Sequence, residues 1–164
     1  MIRKTFDVIQ EPRGDVLQKL IRNLAQRASS VLMVVRDDPA LSEAGRGLLA
    51  RLQPELVEQK RRSSWPGTIL STSEATVFRF TPSRAVLDEL ERASDGLYGW
   101  QQPALPEDLA LLRDDGTEIL ASICHENDAY LEITDEEFQV LTMAVPALAK
   151  IICVRAPPAS GHEG

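Results

Sequence analysis

The chain has 164 residues, 43% of them hydrophobic and 26% charged, with a formal net charge of −7. These values suit one soluble globular domain and exclude a fibrous, collagen-like or charge-dominated disordered chain. The charge is divided along the sequence: residues 1–84 carry 14 Lys/Arg against 9 Asp/Glu, and residues 85–164 carry 4 against 16.

The start, MIRKTFDVIQEPRGD, has no apolar core and no small-residue cleavage site, so a secretory leader is not expected. No run approaches the ~20 apolar residues of a membrane span. Net acidity disfavours non-specific nucleic-acid binding, which needs a basic footprint. Two cysteines, Cys124 and Cys153, make no disulfide framework and suggest reduced thiols in a cytoplasmic protein.

In chain order, residues 2–9 alternate loosely and suggest an edge strand. Leu17, Leu20, Ile21, Leu24 and Ala28 recur at helical spacing, predicting a helix over 15–27 with Asp15 as its N-cap. Val31 to Val35 is an unbroken, mostly β-branched run, the pattern of a strand buried on both faces; continuation of the helix is the competing reading. Ser42 opens a second helix, with Leu48, Leu49, Leu52, Leu56 and Val57 on one side, kinked or restarted at Pro54 and ending in Lys60-Arg61-Arg62.

Trp65-Pro66-Gly67 reads as a turn. Residues 68–70 and 75–80 are β-rich and predict a hairpin joined through 71–74. Thr81-Pro82 introduces a helix over 83–93 with Val86, Leu87 and Leu90 inward. The breaker-rich loop 94–106 carries Leu97, Tyr98 and Trp100 as anchors. A meander follows, with strands at 108–113, 117–124 and 129–133; Asp115-Gly116 is a strong hairpin signal. Thr134 and Glu137 form a capping box for a helix whose apolar stripe is Phe138, Leu141 and Val145. The expected fold is a single α+β domain over 1–155, an antiparallel or mixed sheet with a C-terminal meander flanked by helices. A disordered tail is expected over 156–164.

Motifs for chemistry are sparse. Cys124-His125-Glu126 is the first place to look, but adjacent strand residues point to opposite faces, so His125 does not activate Cys124. Asp114, Asp115 and Glu118 surround one turn, and Glu126, Asp128 and Glu132 the next; neither has the spacing of a calcium loop. No zinc spacing, phosphate-binding glycine loop or nucleophile elbow occurs. No catalytic residue, metal or cofactor is expected.

Trp65-Pro66-Gly67-Thr68, Val77-Phe78-Arg79-Phe80, Leu97-Tyr98-Gly99-Trp100, LPEDLALLRDDG at 105–116 and SICHENDAYLEI at 122–133 resemble a group of small bacterial proteins similar in style to toxin-immunity proteins. The resemblance covers residues 65–133, carries no catalytic residue, and implies a bacterial binder. The leading expectation is a non-catalytic inhibitor or immunity-type protein. It would dock a basic partner, such as a toxin or nuclease, through Asp114, Asp115, Glu118, Glu126, Asp128 and Glu132. One alternative is a subunit of a larger assembly using Leu-rich helices over 15–62 as an oligomer interface. Another is an enzyme with a site around His125, Glu126 and Asp128.

Overall fold

A computed structural model describes residues 2–157. Its elements in chain order are β1 (Arg3–Val8), α1 (Gly14–Ala25), β2 (Ser30–Val35), α2 (Glu43–Leu52), β3 (Leu56–Arg62), β4 (Ser64–Trp65), β5 (Thr68–Ile69), β6 (Ala75–Phe80), α3 (Arg84–Ala93), β7 (Glu107–Leu112), β8 (Glu118–Ile123), β9 (Asp128–Thr134), α4 (Asp135–Ala144) and β10 (Ile152–Val154). Among the described residues, eight of the strands form one sheet in the order β10-β1-β9-β8-β7-β2-β6-β3, antiparallel at every pairing. β4 and β5 form a separate two-stranded hairpin. The protein is an α+β domain.

Strand alternation sorts side chains to two faces. Phe6, Val31, Met33, Phe80, Leu109, Leu111, Leu131 and Ile133 face the helices, where they meet Leu17, Leu20 and Leu24 of α1, Leu48 and Leu52 of α2, Leu90 of α3 and Leu141 of α4. Phe6 stacks on Phe138 at 4.5 Å between ring centroids, which seats α4 on β1. Leu32, Val34, Ala75, Val77, Ala110 and Leu112 point to the other face and form a smaller core under Trp65. The continuous apolar run of β2 is explained by this arrangement: it is covered on both sides.

Several expectations need correction. Pro54 does not kink a long helix. It sits in a 3-10 turn, Gln53–Glu55, that ends α2, and the chain leaves as strand β3. Proline has no N–H to continue the ladder, and its ring crowds the preceding turn. Lys60-Arg61-Arg62 therefore lies on a sheet edge, where basic side chains discourage edge-to-edge pairing. The leucines of α1 and α2 are spent on the molecule's own core, and residues 56–62 are not helical, so an oligomer interface of Leu-rich helices over 15–62 loses its apolar stripe.

The hairpin expected between 68–70 and 75–80 is also displaced. β5 pairs with β4 across Pro66-Gly67, and β6 pairs with β3 and β2. β1 is an interior strand, because β10 pairs outside it. Arg13, not Asp15, is the N-cap of α1; Asp15 lies in its first turn. Of the tail expected over 156–164, residues 158–164 lie outside the described residues.

The capping box of α4 forms as its spacing predicts. The β7–β8 turn places Gly116 at φ 85 with open space where a Cβ would go. Gly116→Val should therefore lose about 1–2 kcal/mol through backbone strain alone, whereas Gly116→Asn, which tolerates this region, should lose much less. Urea denaturation of the two variants checks the turn; equal stabilities would overturn it.

Candidate functional site: the second face of the sheet

The β4–β5 hairpin folds over the sheet face opposite the helices. Two residues per strand cannot hold it there. Its anchor is Trp65, which is buried over Leu32, Val77 and Leu112. The indole Nε1–H donates to Asp108 Oδ2 at 2.9 Å, and the Arg36 guanidinium stacks on the ring at 5.1 Å from its centroid. Gly67, at φ 85, fits where a Cβ would come within 2.8 Å of Ile123.

Asp108 is the hub. It is 1% exposed and has φ 58, at a slip in register between β2 and β7. Aspartate is among the few residues that tolerate this left-handed region. The slip lets neighbouring Glu107 and Asp108 both serve the buried cluster. Besides Trp65, Asp108 accepts the backbone N–H of Cys124 at 3.1 Å and lies 3.9 Å from Arg36 Nη2. Glu107 accepts from Arg36 Nε. Gln102 clamps the same arginine's backbone, accepting from its N–H and donating to its carbonyl at 2.9 Å. Burial pushes the Asp108 carboxyl above its ordinary value, against the hydrogen bonds from Trp65 and Cys124.

Beside the hairpin lies a groove of about 350 Å³. Leu32, Val77 and Leu112 line it, with Arg62 and Arg79 on the β3–β6 side and Asp114 and Asp115 on the β7–β8 turn. Both arginines are engaged by Glu58, at 3.3 and 3.1 Å.

The six carboxylates singled out in the sequence do not form one cluster. Asp128, Tyr130 and Glu132 alternate with the buried Ala129, Leu131 and Ile133, so they share the second face. Glu118 joins them because β8 slips in register against β7: Ile119 and Leu120 both enter the helix-side core, and Glu118 turns outward to accept from the Tyr130 hydroxyl at 3.2 Å. Glu132 accepts from Thr5 Oγ1 at 2.5 Å on the neighbouring strand. Asp114 and Asp115 sit at one end of β8 and Glu126 at the other, separated by roughly 20 Å of strand.

Cys124 is fully buried, and burial pushes its thiol up to about 12. It is not a thiolate near neutrality, and only the thiolate is nucleophilic. His125 is half-exposed and lies 3.7 Å from Glu126. Among the described residues, no group of three or more His, Cys, Asp or Glu converges as a metal-ligand set.

No family model, curated protein or solved structure matches this chain.

The charge division has a concrete structural outcome. Arg3, Lys4, Arg22, Arg27, Arg36 and Arg51, all from the basic half, pair with Asp115, Asp135, Asp88, Glu91, Glu137, Glu107, Asp108 and Glu89 of the acidic half. The two halves neutralise each other across the helices and the buried cluster. Asp114, Glu118, Asp128 and Glu132 have no ion pair among the described residues, and they border or occupy the second face. The residues that sequence reasoning missed are Arg36, Glu107 and Tyr130, together with the roles of Asp108 and Trp65. The legible signal was Glu107-Asp108, an acidic pair opening an otherwise apolar strand.

Proposed function

We propose that this protein is a non-catalytic binding module, an inhibitor of the bacterial toxin-immunity type acting in the cytoplasm, that docks a basic protein through the second face of its sheet. One observation carries the reading: four carboxylates without an ion pair among the described residues, Asp114, Glu118, Asp128 and Glu132, share that face and its flanking turn, whereas the other unpaired ones, such as Asp38, Glu43, Glu55, Glu74, Asp95 and Glu136, lie on separate elements. Internal arginines and lysines hold most of the remaining carboxylates. Unpaired carboxylates on an open sheet surface attract a cationic surface over the screening length. Tyr130 supplies an amphipathic contact beside them, and the groove next to Trp65 offers apolar floor to a protruding partner side chain. No described helix is long and apolar enough to cross a membrane.

Charges of this kind speed encounter more than they deepen the bound state. Reversing Asp114, Glu118 and Asp128 to lysine should slow association roughly tenfold or more with the basic protein recovered from source cells. Reversing Asp15, Glu43 and Glu55, which changes net charge equally, should do much less. Stopped-flow kinetics at two ionic strengths reads both. Equal effects from the two triple variants, or association independent of salt, would overturn the reading.

A further inference from the structure

A second cavity, about 530 Å³, opens where the start of β1, the end of α1, the end of β7 and the start of α4 meet. Three arginines from three separate elements line it: Arg3, Arg27 and Arg113. Glu136 and Glu137 line it too, so the side chains of the lining carry a formal excess of one positive charge in a chain of net charge −7.

The donors are not exhausted by internal partners. Glu137 is the carboxylate that takes Arg113, at 3.1 and 3.3 Å, and Arg27 Nε, at 3.2 Å. Burial works against ionised Glu137, but the Thr134 N–H and these arginines prevail and hold its carboxyl below the usual range. Arg113 gives a further bond to the Glu132 carbonyl at 3.0 Å, and its Nε, without a partner, is buried out of reach of the cavity, so Arg113 contributes its charge and the available donors are those of Arg3 and Arg27. Arg3 donates to Thr117 Oγ1 at 2.9 Å and approaches Asp115 only to 3.8 Å. Among the described residues, the terminal nitrogens of Arg27 have no partner within bonding distance. Glu137 thus answers two five-donor forks, Asp115 stands beside the third, and the outer donors of Arg3 and Arg27 remain available.

We propose that this cavity binds the phosphate group of a small phosphorylated molecule. A tetrahedral dianion offers three terminal oxygens to donors arriving from different directions, which a planar carboxylate cannot match. The start of α4, a ten-residue helix, adds the positive end of its dipole at the same place. The cavity exceeds what phosphate alone would fill, and Val140 lines the space left for an organic body. Glu136 also lines the cavity, without an ion pair among the described residues, and opposes the anion. The cavity adjoins the β7–β8 turn through Arg3, but the phosphate reading does not depend on the proposed docking.

The test is calorimetric titration of the intact protein with inorganic phosphate, glycerol 3-phosphate and acetate at constant ionic strength. Saturable binding of either phosphate with a Kd of about 1 mM or tighter is expected. Tighter glycerol 3-phosphate supports a phosphate monoester as the ligand; tighter inorganic phosphate would overturn the organic body assigned to it. Arg3→Gln and Arg27→Gln, both on partly exposed side chains, should each weaken binding about tenfold with melting temperature retained. Glu136→Gln should tighten it several-fold. Absence of saturable binding, acetate binding as well as phosphate, or affinity indifferent to all three substitutions would overturn the proposal.

Discussion

Trp65→Ala will destabilise the protein by about 3–5 kcal/mol, the range for removing a buried aromatic side chain, and will lower the melting temperature by roughly 6–20 °C for a domain of this size. The ring is the main apolar body covering Leu32, Val77 and Leu112, so its loss leaves a cavity and exposes the second core. It also strips Asp108 of its indole donor. Trp65→Phe separates the two effects: it keeps most of the packing and removes the N–H, for a loss of about 1–3 kcal/mol. Because β4 and β5 have little pairing of their own, the amides of residues 64–70 should exchange with solvent much faster in the alanine variant, while those of β9 keep their protection. Urea denaturation with hydrogen exchange reads both. A loss under about 1 kcal/mol would mean that the hairpin is held by something other than its tryptophan.

Asp108→Ala should cost a comparable amount, about 3–5 kcal/mol. It leaves the Trp65 Nε1–H and the Cys124 N–H without an acceptor, leaves Arg36 with Glu107 alone, and asks alanine to hold φ 58. Asp108→Asn retains an acceptor and tolerates the backbone, so about 1–2 kcal/mol is expected. The pair also has a pH signature. Burial raises the folded carboxyl above its ordinary 3.8, so the folded state holds this proton more tightly than the unfolded chain. Its contribution to stability is complete below 3.8 and is lost as pH rises through the folded value. The wild type's stability relative to Asp108→Asn should therefore fall as pH is raised from about 3.8. Asp88 and Glu89 are shifted the other way by their arginines, and Glu137 by the Thr134 N–H and its arginines, so their stabilisation exists above the usual carboxylate range and disappears on acidification. They shape the absolute profile of both proteins, and the difference between the two isolates Asp108. A gap that widened with rising pH would contradict the assignment.

The acidic surface was legible as composition, and the meander beneath it as punctuation. Asp115-Gly116 and Thr134 with Glu137 are local signals, decided by backbone preference within a few residues, and both formed where their spacing placed them. α1, β6, α3 and α4 were equally readable, because each has one apolar period and a nearby breaker, and β2 was readable as a short unbroken apolar run. β3 was not. Leu48, Leu49, Leu52, Leu56 and Val57 continue a helical spacing across Pro54 by coincidence, and an edge strand with both sides largely in water has no apolar alternation to betray it. β4 and β5 are shorter than any pattern can reveal, and β10 exists only because β1 presents it with an edge.

The sequence by itself determined the fold class, most element positions, the excess of acid in residues 85–164 and the absence of recognisable catalytic spacing. These follow from periodicity, turn chemistry and counting, all short-range. Tertiary structure alone decided which charges remain available. Arg22 finds Asp88 and Glu91 across 66 and 69 residues, and Arg36 finds Glu107 across 71, pairings no local pattern encodes. Two one-residue slips in strand register turned Glu118 outward and let Asp108 join the buried cluster beside Glu107, because a strand's side chains alternate with period two and a single extra residue exchanges their faces.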